Sequence, residues 1–260
     1  MTDYAEAGLL VTREGPVLSV TLDRPESRNA QTPALWRALA DVGLTIDPEV
    51  RIVVLRGAGA SFSAGLDRRM LTPEGIAGEL TFGEMTAGSE ADFDATINTY
   101  QAGFTWLRNP QFVSIAVVQG HAIGAGFQLA LACDMRMATE DVSFNMKETA
   151  LGMVPDLGGT KVLVEAIGYA RALEVCALSR NIHAEEALAW GLVNLVVDSD
   201  GLDSAVDHLV QGLLAPDAGA VRALKALLQG ASELAYDDQR AAERTSQRGR
   251  FKALAAYFLK

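Results

Sequence analysis

Apolar and polar residues alternate with period two from Val17 to Leu22, the pattern of a strand with one buried face. Thr32-Pro33 then reads as a helix N-cap followed by proline in the first turn, and the helical pattern runs to about Gly43. Arg51–Arg56 is an almost unbroken β-branched run, which predicts a strand buried on both faces. The first third is therefore expected to run strand, strand, helix, strand. Between Met70 and Leu107 there is no Lys or Arg, whereas Glu74, Glu79, Glu84, Glu90, Asp92 and Asp94 are all acidic. This stretch reads either as a helical, mobile flap beside a pocket or as a solvated face without a role.

The middle third repeats strand, turn and helix over Ser114–Cys133 and adds a short strand near Met135–Ala138. Phe144–Thr160 is rich in loop signals, with Pro155 and Gly158-Gly159 forcing turns. Helical patterns follow at Lys161–Ile167, Ala170–Leu178 and Ala184–Trp190, then a short strand at Val193–Val197. From Leu202 onward the chain reads as successive amphipathic helices, which need a surface to pack on. With no repeat, low-complexity block or linker-like break, the expected organisation is one catalytic core over residues 1–200 and a helical region over 201–260.

Two segments carry the chemistry. In Ser114–Ala138 a β-branched strand meets a Gly-Ala-Gly turn that opens an apolar helix. The first N–H groups of such a helix are unpaired, and its dipole favours negative charge there. Ser61–Asp67 (SFSAGLD) repeats the arrangement behind the strand at Arg51–Gly57. Two glycine turns, each behind a strand, suggest two N–H donors converging on one oxygen, as a developing oxyanion requires.

Charge and composition narrow the function classes. Of 260 residues, 22 are Lys or Arg and 33 Asp or Glu, and the net charge of −11 argues against nucleic acid as a partner. No apolar run reaches the roughly 18 residues that span a bilayer, so no membrane role is expected. The acidic N-terminus lacks a signal-peptide layout, and Phe258-Leu259-Lys260 is not a peroxisomal address, so the cytoplasm is the expected location. Cys133 and Cys176 form no metal-ligand spacing and no disulfide framework, and Cys133 reads as a buried structural thiol. No metal is expected.

Gly124-Ala125-Gly126 follows a strand but lacks the third glycine and the distal acid of a dinucleotide fingerprint. There is no GxSxG elbow and no Ser-His-Asp set. His121 precedes the glycine turn, where it shapes the loop or carries protons; His183 and His208 fall on expected surface helices. Glu148 and Asp156 stand out, eight residues apart among Met146, Leu151, Met153 and Val154. Desolvation there would raise proton affinity, as a general base for a carbon acid needs. Alternatively, Glu148 caps a turn or pairs with Lys147 or Lys161.

Five segments in order resemble the enoyl-CoA hydratase/isomerase (crotonase) superfamily over most of the chain. They are Leu22–Thr32, Ser61–Asp67, Gly120–Ala138, Glu148–Thr160 and Ala184–Val197. The resemblance implies an α/β fold, a spiral of ββα units with a C-terminal helical region that builds homotrimers, often paired as hexamers. It implies an acyl-CoA thioester as substrate, coenzyme A being part of that substrate and no separate cofactor being needed. Carried over by position, the oxyanion donors are the N–H groups of Leu66 and Ala125. Ala64, Gly65 and Asp67 would line the adenine-binding turn, with Gly124 also on the CoA side. Arg24, Arg28 and Arg68 are candidates for the phosphates, although the first two could equally be solvent-exposed.

The chain departs from the hydratases of this superfamily, which hold a water between two glutamates. Glu148 matches the second, but the first is Gln128, whose amide cannot exchange a proton at neutral pH. Single-glutamate relatives instead move a double bond from 3-enoyl-CoA to 2-enoyl-CoA, so isomerisation with Glu148 as proton shuttle is the expected reaction. A hydratase in which Asp156 or a second water replaces the missing acid is the alternative. Others are a dienoyl-CoA isomerase using Asp156 and a non-catalytic acyl-CoA-binding protein.

Overall fold

In the computed structural model, residues 4–258 are described; the expectations resting on residues 1–3 and 259–260 lie outside them. A hairpin of β1 (Leu9–Glu14) and β2 (Val17–Leu22) opens the chain, followed by α1 (Pro33–Thr45) and β3 (Ile52–Gly57). Then come α2 (Phe82–Ala87), α3 (Glu90–Thr105), β4 (Val113–Val118), β5 (His121–Ile123) and α4 (Ala125–Ala132). β6 (Met135–Thr139), β7 (Ser143–Asn145), α5 (Gly159–Ile167), α6 (Tyr169–Leu178), β8 (Ile182–His183), α7 (Ala184–Ala189) and β9 (Leu195–Val197) complete the core. Three helices end the chain: α8 (Leu202–Leu214), α9 (Ala218–Gly230) and α10 (Tyr236–Phe258).

The main sheet has the order β1-β2-β3-β4-β6-β9, parallel throughout except for the β1–β2 hairpin, and β5-β7-β8 form a smaller sheet. This is the expected α/β class with its C-terminal helices. The parallel strands are covered on both faces, which explains their continuous apolar runs. In β3, Val53 and Leu55 join the large core with α1 and α4, while Ile52 and Val54 pack against Val206 and Val210 of α8. The expected boundary at residue 200 thus falls just before a helix that shares a core with the sheet. Buried Lys225 ties α9 to the same body, donating to the carbonyls of Asn109 and Phe112 and to Asp134, each at 2.7 Å.

Thr32 caps α1 as the sequence predicts, its hydroxyl accepting from the Leu35 N–H at 3.2 Å with Pro33 behind it. The acidic stretch is helical over α2 and α3, and the C-terminal end of α3 belongs to the core. Tyr100 and Phe104 of α3 are buried against Trp36, with ring centroids 4.9 and 6.2 Å away. Gly103 lets the helices touch, since a β-carbon there would lie 2.4 Å from the Trp36 carbonyl oxygen. His183 stands at the N-cap of α7 rather than inside a helix.

Candidate active site

The two glycine turns meet face to face. Phe62 and Ser63 donate to the carbonyls of Gln119 and His121, and Ile123 donates back to Ser63 at 3.0 Å. This short parallel bridge lays Ser61–Asp67 along β5, and glycines remove what would hold them apart. A β-carbon on Gly126 would lie 2.6 Å from the Ser63 carbonyl oxygen; one on Gly65 would lie 2.3 Å from that of Ile123 and 3.4 Å from the Ala125 nitrogen. The Gly65 turn therefore abuts the start of α4. Gln31 donates to the Gly65 carbonyl and accepts from the Asp67 N–H, which turns the intervening Leu66 N–H the other way. Among the described residues the N–H groups of Leu66 and Ala125 find no acceptor.

A buried polar cluster that the motifs alone left without a role fixes this turn. Asn29, in a left-handed conformation, donates its amide to the carbonyls of Ala58 and Ser61. Gln31 donates to the Ser63 hydroxyl and accepts from the Trp36 indole; Ser63 in turn donates to the Asn29 carbonyl. Each is fully or almost fully buried with its hydrogen bonds satisfied, so the loop carrying Leu66 is held in one conformation. All three lie within the segments already singled out, but nothing in their spacing reveals this network.

α4 is buried on every side, which brings Gln128 into the interior. Its Oε1 accepts from the N–H groups of Leu157 at 3.0 Å and Gly159 at 3.3 Å, and its Nε2 donates to Glu148 Oε1 at 2.7 Å. Glu148 begins a short 3-10 helix and is 8% exposed. Its carboxylate lies over Gly124, whose absent β-carbon would stand 3.3 Å from Oε1. The other oxygen, Oε2, is buried and has no hydrogen-bond partner among the described residues. Desolvation pushes the Glu148 carboxyl above the usual glutamate range, with the charge of Asp156 adding and the Gln128 hydrogen bond opposing. Lys161 is not its partner but pairs with Glu165 at 2.9 Å.

Asp156 lies in the loop before α5, open to solvent on one side and crowded by protein on the other, and this partial desolvation raises its carboxyl. Its carbonyl accepts from Gln101 of α3 at 2.6 Å. The cationic candidates divide into two kinds. Arg24 is engaged, donating to the Ala30 carbonyl at 2.6 Å and to Asp67 at 3.2 Å. Arg28 and Arg68 are exposed, and neither side chain makes an ion pair or hydrogen bond among the described residues. Asp67 is buried between Arg24 and Arg69, and the Arg69 hydrogen bond, more than any other effect, lowers its carboxyl to about 2. Ala64 donates to the Arg28 carbonyl at 2.8 Å, so Arg28, Ala64 and the Asp67 turn form one unit.

His121 is exposed, its Nδ1 lying 3.3 Å from the Ser61 hydroxyl. Cys133 is buried, its thiol pushed up to about 12 by desolvation. No group of three or more His, Cys, Asp or Glu among the described residues is placed to hold a metal ion. No helix among them is long and apolar enough to cross a membrane. A desolvated carboxylate beside two free N–H groups can take a proton from carbon while the donors hold the resulting enolate oxygen.

The family model described as Enoyl-CoA hydratase/isomerase matches residues 12–255. The chain belongs to this family. A candidate enoyl-CoA hydratase from Thermobifida fusca YX, solved in complex with acetoacetyl-CoA, is 47% identical. The two superpose with a TM-score of 0.93 over 96% of this chain and 97% of the other. Pseudomonas aeruginosa DspI is 30% identical, with a TM-score of 0.81 over 94% of this chain and 88% of that one. Among sequence relatives, the carnitinyl-CoA dehydratase of Salmonella paratyphi A is 36% identical over 233 residues, 88% of this chain and 83% of the relative. The protein is thus an enzyme of a family that acts on CoA thioesters.

Proposed function

We propose that the protein converts 3-enoyl-CoA into 2-enoyl-CoA. Glu148 Oε2 takes a proton from C2, and the electron pair passes through C1 to the thioester oxygen. That oxygen is held by the N–H groups of Leu66 and Ala125. The same carboxyl then returns its proton at C4 as the double bond settles between C2 and C3. The cycle closes with Glu148 ionised and no other reactant consumed. Each N–H donor is commonly worth about 10² to 10³ in rate.

The observation that carries this reading is the direct contact between Gln128 and Glu148 at 2.7 Å. The Gln128 carbonyl oxygen already serves two backbone N–H groups, and its amide nitrogen serves Glu148. That leaves Gln128 no free acceptor with which to orient a water and Glu148 Oε2 as the one free acceptor of the pair, whereas double-bond migration needs only that base and the two donors. Absorbance of the conjugated enoyl thioester is the test. A medium-chain 3-enoyl-CoA should give a rise with wild-type protein and none with Glu148→Gln.

One observation favours a second reading. The carnitinyl-CoA dehydratase relatives point to hydration or its reverse, with Asp156 as the second acid. Loss of absorbance from 2-enoyl-CoA, abolished by Asp156→Asn, would establish that reaction instead. For assembly we propose a homotrimer, alone or paired as a hexamer, that covers exposed Leu151, Val154, Tyr169, Leu173 and Leu178 beside the site. Light scattering at the exit of a sizing column reads the mass directly.

A further inference from the structure

We propose that Gln101 and Gln128 are positioning residues that act in series, tying the acidic helix α3 to the carboxylate of Glu148. The links are Gln101 Nε2 to the Asp156 carbonyl at 2.6 Å, the next residue's N–H (Leu157) to Gln128 Oε1 at 3.0 Å, and Gln128 Nε2 to Glu148 Oε1 at 2.7 Å. The inference rests on Glu148 being the base.

Three features make the series more than a list of contacts. Both polar atoms of the Gln128 amide are engaged, the oxygen by the 157–159 backbone and the nitrogen by Glu148, so a shift of that loop must move the amide. There is no slack on the far side either, because a β-carbon on Gly159 would already stand 2.9 Å from Gln128 Cγ. Finally, Glu148 has one oxygen tied and one free, so the direction of the Gln128 donor decides where Oε2 points. α3 is anchored in the core by Tyr100 and Phe104, with Gln101 between them reaching the loop. The loop is thus fixed from α3 and from α4, and Glu148 hangs from the result.

Cutting either link should misplace the base without emptying the CoA site. Misplacement by about 1 Å can cost as much as 10² in rate, so Gln128→Ala should lower kcat about tenfold or more with KM within about twofold. Gln101→Ala, at a partly exposed position, should lower kcat a few-fold. If the links act in series, the double variant is no slower than Gln128→Ala alone. The donor also favours ionised Glu148 against the neighbouring carboxylate of Asp156; the Cys176 thiol, itself raised by burial and by the charge of Glu148, faces the same group. Both variants should therefore move the Glu148 titration upward, with Gln128→Ala moving it further.

The decisive experiment is a pH titration of the Glu148 carboxyl band by infrared difference spectroscopy against Glu148→Gln, run beside kcat and KM for the four proteins. This reading does not depend on turnover. An upward shift in both variants with non-additive kcat losses supports the series. An unmoved Glu148 titration in Gln101→Ala, or kcat losses that multiply in the double variant, overturns it. If the titration shifts as expected while the wild type leaves 3-enoyl-CoA unchanged, the positioning stands and the proposed reaction falls.

Discussion

Gly65 rests against the carbonyl of Ile123 so closely that a β-carbon would stand 2.3 Å from its oxygen. The same residue has φ +82°, a conformation that L side chains rarely adopt. Gly65→Ala therefore has no relaxed solution: it must either hold a strained backbone or push the Leu66 turn off β5. Strain of this kind costs on the order of 1–3 kcal/mol. Separation of the turns would also remove one of the two proposed oxyanion donors, about 10² or more in rate. Denaturant unfolding and kcat on one acyl-CoA should both fall; a normal kcat would mean that the turn is not part of the oxyanion site.

The sign of the Glu148 shift makes a stability prediction as well as a kinetic one. Its carboxyl is raised in the folded state, so the native protein binds the proton more tightly than the unfolded chain. Stability from this group is complete below the unfolded value of about 4.3 and declines as pH rises through the higher folded value. Glu148→Gln removes the cost of a buried charge. At neutral pH the variant should be more stable than wild type while losing about 10² to 10⁴ in rate and keeping its affinity for CoA. Melting curves across the acid range check the first part. In the wild type, the acid limb of kcat should lie above the ordinary glutamate range.

Asp67 has the opposite sign. Its carboxyl is lowered to about 2 by Arg69 and Arg24, so the stability it supplies is present above the unfolded value of about 3.9 and is lost as pH falls toward 2. Asp67→Asn should destabilise the protein at neutral pH by about 1.5–3 kcal/mol, the scale for hydrogen bonds to charged groups. The difference from wild type should shrink between about pH 4 and pH 2. Equal losses at both ends of that range would mean that the side chain acts through shape and not charge.

Much of this layout is readable along the chain. The alternating Val17–Leu22, the β-branched Arg51–Arg56 and the Thr32-Pro33 cap each carry a local physical signal, and the elements fall within a residue or two of the predicted bounds. Glu148 and Gln128 could be singled out because the residue types themselves limit the chemistry. What local pattern does not carry is partnership at a distance. α3 reads as part of a mobile flap or a solvated face because the residues that bury its end, Tyr100, Gly103 and Phe104, are few and find Trp36 more than sixty positions away. Asp67 is read as lining a ligand turn, but nothing in its spacing shows that two arginines hold its carboxylate. Of the candidate cations, burial of Arg24 over Gly8 separates it from Arg28 and Arg68, and only the fold supplies that.

That separation gives a paired test. Arg28 and Arg68 are exposed and, among the described residues, without partners, so alanine at either should leave stability within about 0.5 kcal/mol. If they meet the CoA phosphates, each change should weaken CoA binding several-fold, and the wild-type affinity should fall with added salt. Arg24→Ala should behave differently, because it frees the Ala30 carbonyl and half of the Asp67 clasp. A drop in melting temperature is expected there, with any loss of binding following from it. Isothermal titration with CoA at two salt concentrations and a thermal melt of each variant distinguish the two roles. Unchanged binding in Arg28→Ala and Arg68→Ala would remove both from the phosphate site.

Glutamate at position 128 tests the relation between the two reactions most directly. In Gln128→Glu one carboxylate oxygen can still accept from Leu157 and Gly159, but the other replaces a donor that lies 2.7 Å from Glu148 Oε1. Two ionised oxygens cannot share that distance, so the pair takes up one proton and titrates as a unit. The shared proton recreates the existing contact and leaves no gap between the side chains for a water. The variant should therefore lose isomerisation at neutral pH, regain part of it as pH rises and the pair ionises, and show no hydration while the contact is closed. Rates on 3-enoyl-CoA and 2-enoyl-CoA from pH 6 to pH 10 follow both reactions by absorbance. Hydration in this variant would mean that the pocket opens far enough to lodge a water, and that the amide at 128 is what holds the wild type to the proposed isomerisation.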